Sequence, residues 1–175
     1  MTTLITGPTP ANITPLSPNG FMFSIQKIPE MTYFCQSVAI PSASLGIVDI
    51  ATPFVDYPTP GDKILFAELS VQFLVDSEMK NYRAIFDWIN NVGFPESYSQ
   101  YITATNSSMA LPQNASVLSD ATLTILGSNN APVQTIQFVD CMPISIESLQ
   151  FSSTSSDVQY LVGNATFKYA LYKFV

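Results

Sequence analysis

LFAELSVQFLV, residues 65–75, is the stretch on which the fold turns. Leu65, Ala67, Leu69, Val71, Phe73 and Val75 fall on one side of a period-two pattern, and Glu68, Ser70 and Gln72 on the other. That alternation is the signature of a strand with one buried face. The four residues Thr59 to Asp62, TPGD, lie just before it and are all turn formers. The pattern therefore predicts a long hairpin centred on Pro60–Gly61. Its other arm is a strand from Gly46 to Tyr57, in which Pro53 marks a bulge or an edge.

Working outward toward the N-terminus, GFMFSIQKI (20–28) places Phe21, Phe23 and Ile25 on one face, and Tyr33 to Ile40 makes a second run stopped by Pro41. These two read as adjacent strands joined near Pro29 and Glu30. Residues 1–19 read as an extended arm, because Pro8, Pro10, Pro15 and Pro18 exclude both a helix and an inner strand.

Toward the C-terminus, SEMKNYRAIFDWINNV (77–92) is the one convincing helix. Asp76 or Ser77 is placed to cap it, Gly93 and Pro95 to stop it, and Arg83 and Asp87 to pair along it. Its expected buried stripe is Met79, Tyr82, Ile85, Phe86 and Ile89. Residues 97–118 carry no charge and no steady period, and read as a long loop insert. Strands resume at Asp120 to Leu126, Val133 to Cys141 and Ile144 to Phe151, and a last strand runs from Val158 to Phe174. Within it Ala165, Phe167, Tyr169 and Leu171 share one face. The fold class that follows is mainly β: an antiparallel β-sandwich or half-barrel over residues 20–175, with one α-helix and a long protruding hairpin.

The chain has 175 residues, 47% of them hydrophobic and only 11% charged, against about 25% charged in an average soluble domain. A membrane span, neutral polar solvation or a surface covered by other subunits would each explain that scarcity. The uncharged runs 1–26, 31–48, 97–119 and 121–139 are all interrupted by Pro, Gly, Asn, Gln or clustered Ser and Thr. None supplies the roughly 20 apolar residues a span needs, so no stable membrane association is expected. The first 26 residues lack Lys and Arg and carry four prolines in place of a compact apolar stretch, so no secretory signal is expected there. Six basic against thirteen acidic residues, net charge -7, argue against tight nucleic-acid binding through phosphate contacts.

No histidine is present, which removes the commonest general base, the Ser-His-Asp and Cys-His arrangements and the usual zinc sites. The carboxylates are dispersed, and Asp76 with Glu78 is better explained by the helix start. GxxxxGK[ST] and GxGxxG are both absent. Catalysis, cofactor and metal are therefore not expected. Cys35 and Cys141 lie in apolar segments and read as two buried thiols or, less simply, as a disulfide. The sequons at Asn12, Asn106, Asn114 and Asn164 are ascribed to chance in a chain rich in Ser, Thr and Asn for which no export signal is expected. Trp88 and the Tyr-rich C-terminus would suit a glycan-stacking surface, or simply a packed helix and strand.

The order of motifs carries a resemblance. FMFSI (21–25) is followed by C-x-x-x-x-I-P at Cys35 to Pro41, P-G-D at Pro60 to Asp62, F-x-x-L-x-V-x-F-x-V-D at Phe66 to Asp76, and F-D-W at Phe86 to Trp88. SDATLTIL (119–126), IQFVDCMPISI (136–146) and ATFKY (165–169) follow in turn. Over residues 20–95 and 119–172 this resembles the tail tube proteins of contractile-tailed bacteriophages, related in fold to the type VI secretion tube protein.

The resemblance implies a structural virion protein: hexameric rings stack into an inner tail tube, inside a sheath and on a baseplate. DNA passes transiently down the lumen, and assembly takes place in the host bacterial cytoplasm. A tube-initiator or baseplate-hub subunit of the same fold, or a glycan-binding β-sandwich module, are the alternatives. A protruding hairpin can reach a neighbour by strand addition, and its candidate inter-subunit residues are Phe54, Tyr57, Pro58, Pro60, Gly61, Asp62 and Lys63.

Overall fold

A computed structural model describes residues 15–93, 97, 117–153 and 160–175. Most of the proline-rich arm, most of the 97–118 insert and the start of the expected last strand lie outside the described residues. The chain runs β1 (Phe21–Ile25), α1 (Met31–Phe34), β2 (Cys35–Val38), β3 (Ala43–Ile50), β4 (Tyr57–Phe66), β5 (Leu69–Leu74), α2 (Lys80–Gly93), β6 (Ser119–Leu126), β7 (Pro132–Ile146), β8 (Val162–Lys168) and β9 (Leu171–Phe174). Every strand pairing among the described residues is antiparallel.

Among the described residues seven strands form one bent sheet in the order β1-β6-β7-β8-β5-β2, with β9 also on β7, and β3 and β4 pair only with each other. The bend is built into β7. Ile136 and Phe138 point inward, but so does Cys141, because Asp140 is an extra residue at φ 55° that shifts the alternation by one. The first half of β7 therefore serves the β1-β6-β9 layer and the second half the β8-β5-β2 layer. The two runs expected at 133–141 and 144–151 are this single strand, ending at Ile146.

β8 and β9 follow the same bend as one interrupted strand. Ala170 N donates to Val139 O across the break at 3.0 Å. The interruption also moves Leu171 outward, where it is 43% exposed, and turns Tyr172 toward Phe138. The expected placing of Leu171 on the buried face is thereby corrected.

The strand pattern at 65–75 holds over only part of its length. Leu69, Val71 and Phe73 are fully buried, whereas Leu65 and Ala67 are exposed, because the chain leaves the sheet at Ala67–Glu68. The run from Tyr33 to Ile40 is shorter as a strand than its pattern predicts. Ile28 O accepts from Met31 N at 3.2 Å, the buried Met31 anchors α1, and β2 occupies only Cys35–Val38. β1 and β2 are not hydrogen-bonded neighbours but the two ends of the sheet, and α1 packs between β1 and β5.

The helix begins three residues later than its sequence suggests. Met79 sits at φ 56°, which no α-helical residue adopts. Asp76 to Met79 is instead a turn, in which Met79 N donates to Asp76 O at 2.8 Å. Asn81 fixes the start: its Nδ2 donates to Leu74 O at 2.7 Å, and its Oδ1 accepts from Asp76 N at 3.2 Å and Tyr82 N at 2.8 Å. The buried line is accordingly Asn81, Ile85 and Trp88, with Phe86 left 47% exposed. Arg83 and Asp87 do form the expected i,i+4 pair, at 3.5 Å on the solvent side.

Gly163 in β8 faces Phe73 in β5 and lets the ring lie on the backbone. A Cβ there would meet Phe73 Cζ at 2.8 Å. Since Phe73 is fully buried and cannot swing away, Gly163→Ala is expected to cost about 1–3 kcal/mol, measured as a lower urea midpoint with unchanged slope.

Candidate functional site

The β3–β4 ribbon is the distal half of a longer hairpin. Its proximal half, β2 with β5, belongs to the body; the strands continue outward through Ala67 N to Ser42 O at 2.9 Å. Beyond that point the ribbon pairs from Ala43↔Phe66 to Ile50↔Tyr57. The tip is residues 51–56, closed by Thr52, whose Oγ1 accepts from Val55 N and donates to Val55 O.

The turn expected at Pro60–Gly61 is therefore displaced. Pro53 lies in the tip, and TPGD lies within β4, where Gly61, Asp62 and Lys63 bulge opposite Gly46. The bulge brings two backbones together: a Cβ on Gly61 would stand 2.7 Å from Gly46 O. The turn formers serve a kink instead of a reversal.

Both faces of the ribbon are mainly apolar, with Ser44 and Thr59 on one and Asp49 on the other as the polar exceptions in the paired register. The register puts Val48, Ile50, Tyr57, Thr59 and Leu65 on one face, and Leu45, Ile47, Pro58, Pro60 and Ile64 on the other. Ile47 is 69% exposed and Phe54 97%. A ribbon wetted on one side keeps a polar face, and apolar residues on both faces belong to strands that are covered on both. The Thr59 hydroxyl is shielded from solvent and has no hydrogen-bond partner among the described residues.

Of the candidate inter-subunit residues, Phe54 sits at the tip and Tyr57, Pro58, Pro60, Gly61, Asp62 and Lys63 run along β4. The whole of β3 escaped that set. Its signal was legible: LGIVDI (45–50) is nearly continuous apolar sequence, which marks a strand buried on both faces.

Where the ribbon leaves the body, aromatic rings anchor it. Phe66 lies 5.2 Å from Tyr172 and 6.1 Å from Tyr169. Tyr169 OH donates to Ala67 O at 2.8 Å. Beside this root β9 pairs with β7 alone among the described residues, and no strand among them lies along its outer backbone edge. Phe174, opposite the buried Ile136, is 61% exposed.

Elsewhere the chemistry is quiet. Among the described residues no group of three or more His, Cys, Asp or Glu is arranged to hold a metal ion. Trp88 is buried, donates from Nε1 to Val117 O at 2.7 Å and packs on Phe167, so it offers no stacking face to a sugar. Asn164 lies mid-strand with Nδ2 on Glu147 Oε2 at 2.8 Å.

Both cysteines are free thiols. Burial and the Asp120 carboxylate push Cys141 up to about 12 from 9.0, and burial with neighbouring Tyr172 and Cys141 pushes Tyr169 up to about 12 from 10.0. Folded, both stay neutral where the unfolded chain ionises. Their stabilisation is thus complete below about pH 9 and falls as pH rises toward 12, by about 1.4 kcal/mol per pH unit for each group in its window. The melting temperature is expected to drop steeply between pH 9 and 12, and less steeply in Cys141→Ala.

Comparison with known proteins places this geometry. A family model described as "Phage tail tube protein" matches residues 10–175. The anti-feeding prophage cap, a tube-terminating cap, superposes with TM-score 0.66 at 15% identity, over 98% of this chain and 97% of that one. Chains of the PVC extracellular contractile injection system are similar too. One in the extended sheath-tube complex gives TM-score 0.62 at 19% identity, over 92% and 91%. Another in the sheath/tube terminator gives 0.63 at 19%, over 93% and 97%. No curated protein matches the sequence at a significant level.

Proposed function

The chain belongs to the phage tail tube protein family, and from that premise we propose that it is the building block of an inner tail tube. Six copies close into a ring and rings stack into the tube. The sheath surrounds it, the baseplate receives it, and DNA passes through it in transit. The subunit is non-catalytic, assembles in the host bacterial cytoplasm and ends in the virion tail. The solved chains it resembles come from sheath-tube and sheath/tube-terminator assemblies, which supports the sheath as a partner.

The observation that carries this reading is the β3–β4 ribbon. A monomer would leave both of its apolar faces in water, at a cost of about 25 cal/mol for each Å². Copies of the same chain relieve that cost wherever the protein is made. Net charge -7 suits a conduit for a polyanion, since the wall repels phosphate and does not trap it. Negative-stain imaging of the purified protein tests the proposal. Closed rings or stacked tubes are expected, and isolated particles of monomer size at micromolar concentration would refute it.

A further inference from the structure

The chain enters β1 through Ser17, Pro18, Asn19 and Gly20, a turn centred on Pro18 and Asn19 in which Asn19 is exposed. Pro at the second position and Gly at the fourth suit a type I turn. Gly20 has a packing reason as well. Its carbonyl accepts from Leu126 N at 2.9 Å, and a Cβ on it would stand 3.0 Å from Leu126 O and 3.1 Å from Leu126 Cβ. The close approach of β6 therefore requires a glycine directly after an exposed asparagine. Asn19 is the one asparagine of the chain that glycine follows.

We propose that Asn19 is a self-modification site, at which the backbone nitrogen of Gly20 displaces the side-chain amide and water then leaves isoaspartate or aspartate. The Gly20 nitrogen attacks Cγ of Asn19. The new N–Cγ bond closes a succinimide ring, the Cγ–Nδ2 bond breaks, and the Gly20 proton leaves with the amide nitrogen as ammonia. Water opens the ring by adding its OH to one carbonyl carbon and its remaining proton to the ring nitrogen. Opening at Cγ gives aspartate. Opening at the main-chain carbonyl gives isoaspartate, whose backbone runs through Cγ and is one methylene longer. Water is the only co-reactant.

Two features select this position. Glycine has no Cβ to hinder the attacking nitrogen, and the turn precedes β1, which starts at Phe21, so no strand ladder fixes Asn19. Every other described asparagine is followed by a residue that has a Cβ. Asn81 and Asn164, in α2 and β8, are also held by their side chains, with Nδ2 on Leu74 O at 2.7 Å and on Glu147 Oε2 at 2.8 Å. Asn129 Oδ1 accepts from Ala131 N at 3.2 Å. The product bears on the fold because β1 ends the sheet and pairs with β6 alone among the described residues. Its entry gains a negative charge and, in the isoaspartate, a longer main chain beside the Gly20–Leu126 bond.

The test is peptide mapping by mass spectrometry after the folded full-length chain has stood at mildly alkaline pH in water labelled with heavy oxygen. The peptide spanning Asn19 should exchange NH2 for OH, take up one labelled oxygen and split into two chromatographic forms of equal mass. It should do so at least several-fold faster than the peptides holding Asn81, Asn129 or Asn164. The isoaspartate form should accept a methyl group from an isoaspartyl carboxyl methyltransferase. Asn19→Gln, which keeps Gly20 and its packing on Leu126, should stay unmodified at this position over the same period. An Asn19 peptide that stays intact in the folded chain, while the same peptide converts in urea, would show that the turn protects it and would overturn the proposal. Equal conversion at the other asparagines would overturn it as well, since the turn would then select nothing.

Discussion

A chain in which Asn-Gly replaces residues 46–63 is expected to fold as well as the full protein and to remain a monomer at every accessible concentration. Leu45 and Ile64 are cross-strand partners, so a two-residue type I′ turn joins them without moving the body. The excision removes Ile47, Val48, Ile50, Phe54, Val55 and Tyr57, all more than half exposed. None of them contributes to the core, and each would bring about 1.5–3 kcal/mol on burial against a neighbour. Assembly thus loses its main driving force while folding loses almost nothing. Light scattering after gel filtration, with a thermal melt beside it, checks both halves. Rings from the shortened chain would show that the ribbon is not the joint.

Phe138→Ala acts on the opposite account. Phe138 is fully buried and its ring lies 5.1 Å from Tyr169 and 5.8 Å from Tyr172. Those two tyrosines in turn hold Phe66 at the root of the ribbon. Truncation should cost about 3–5 kcal/mol and lower the melting temperature by roughly 6–20 °C in a chain of this size. Phe86→Ala provides the contrast. With its ring 47% exposed on α2, it should change stability by under about 0.5 kcal/mol, although periodicity placed Phe86 in the buried stripe.

The difference between those two residues shows where sequence is legible. Period-two alternation identified the buried faces of β1, β5 and β8, because each strand meets the core on one side only. It erred wherever a single residue changed the phase. Asp140 adds one bulged residue that shifts the inward face of β7 by one, and Met79 delays α2 by taking a left-handed conformation. Neither position is a glycine, so composition gives no warning.

The Pro60–Gly61 signal was misplaced for a related reason. Gly61 is required by the close approach of Gly46, and the same residue types serve a bulge or a turn equally well. Of the candidate surface, a protruding hairpin over these residues was legible, but its tip at residues 51–56 and the run of β4 through Pro58 and Pro60 were not. Nor was the outer edge of β9, because an edge is a property of which strands are neighbours. That depends on the chain leaving the sheet at Ala67–Glu68.

The central claim is that these apolar surfaces are reserved for other copies of the same chain. The mass of the purified particle measures this most directly. Light scattering should give about six times the 19.1 kDa of one chain, or multiples of that unit as rings stack. A particle of 19.1 kDa that persists as concentration is raised would contradict it.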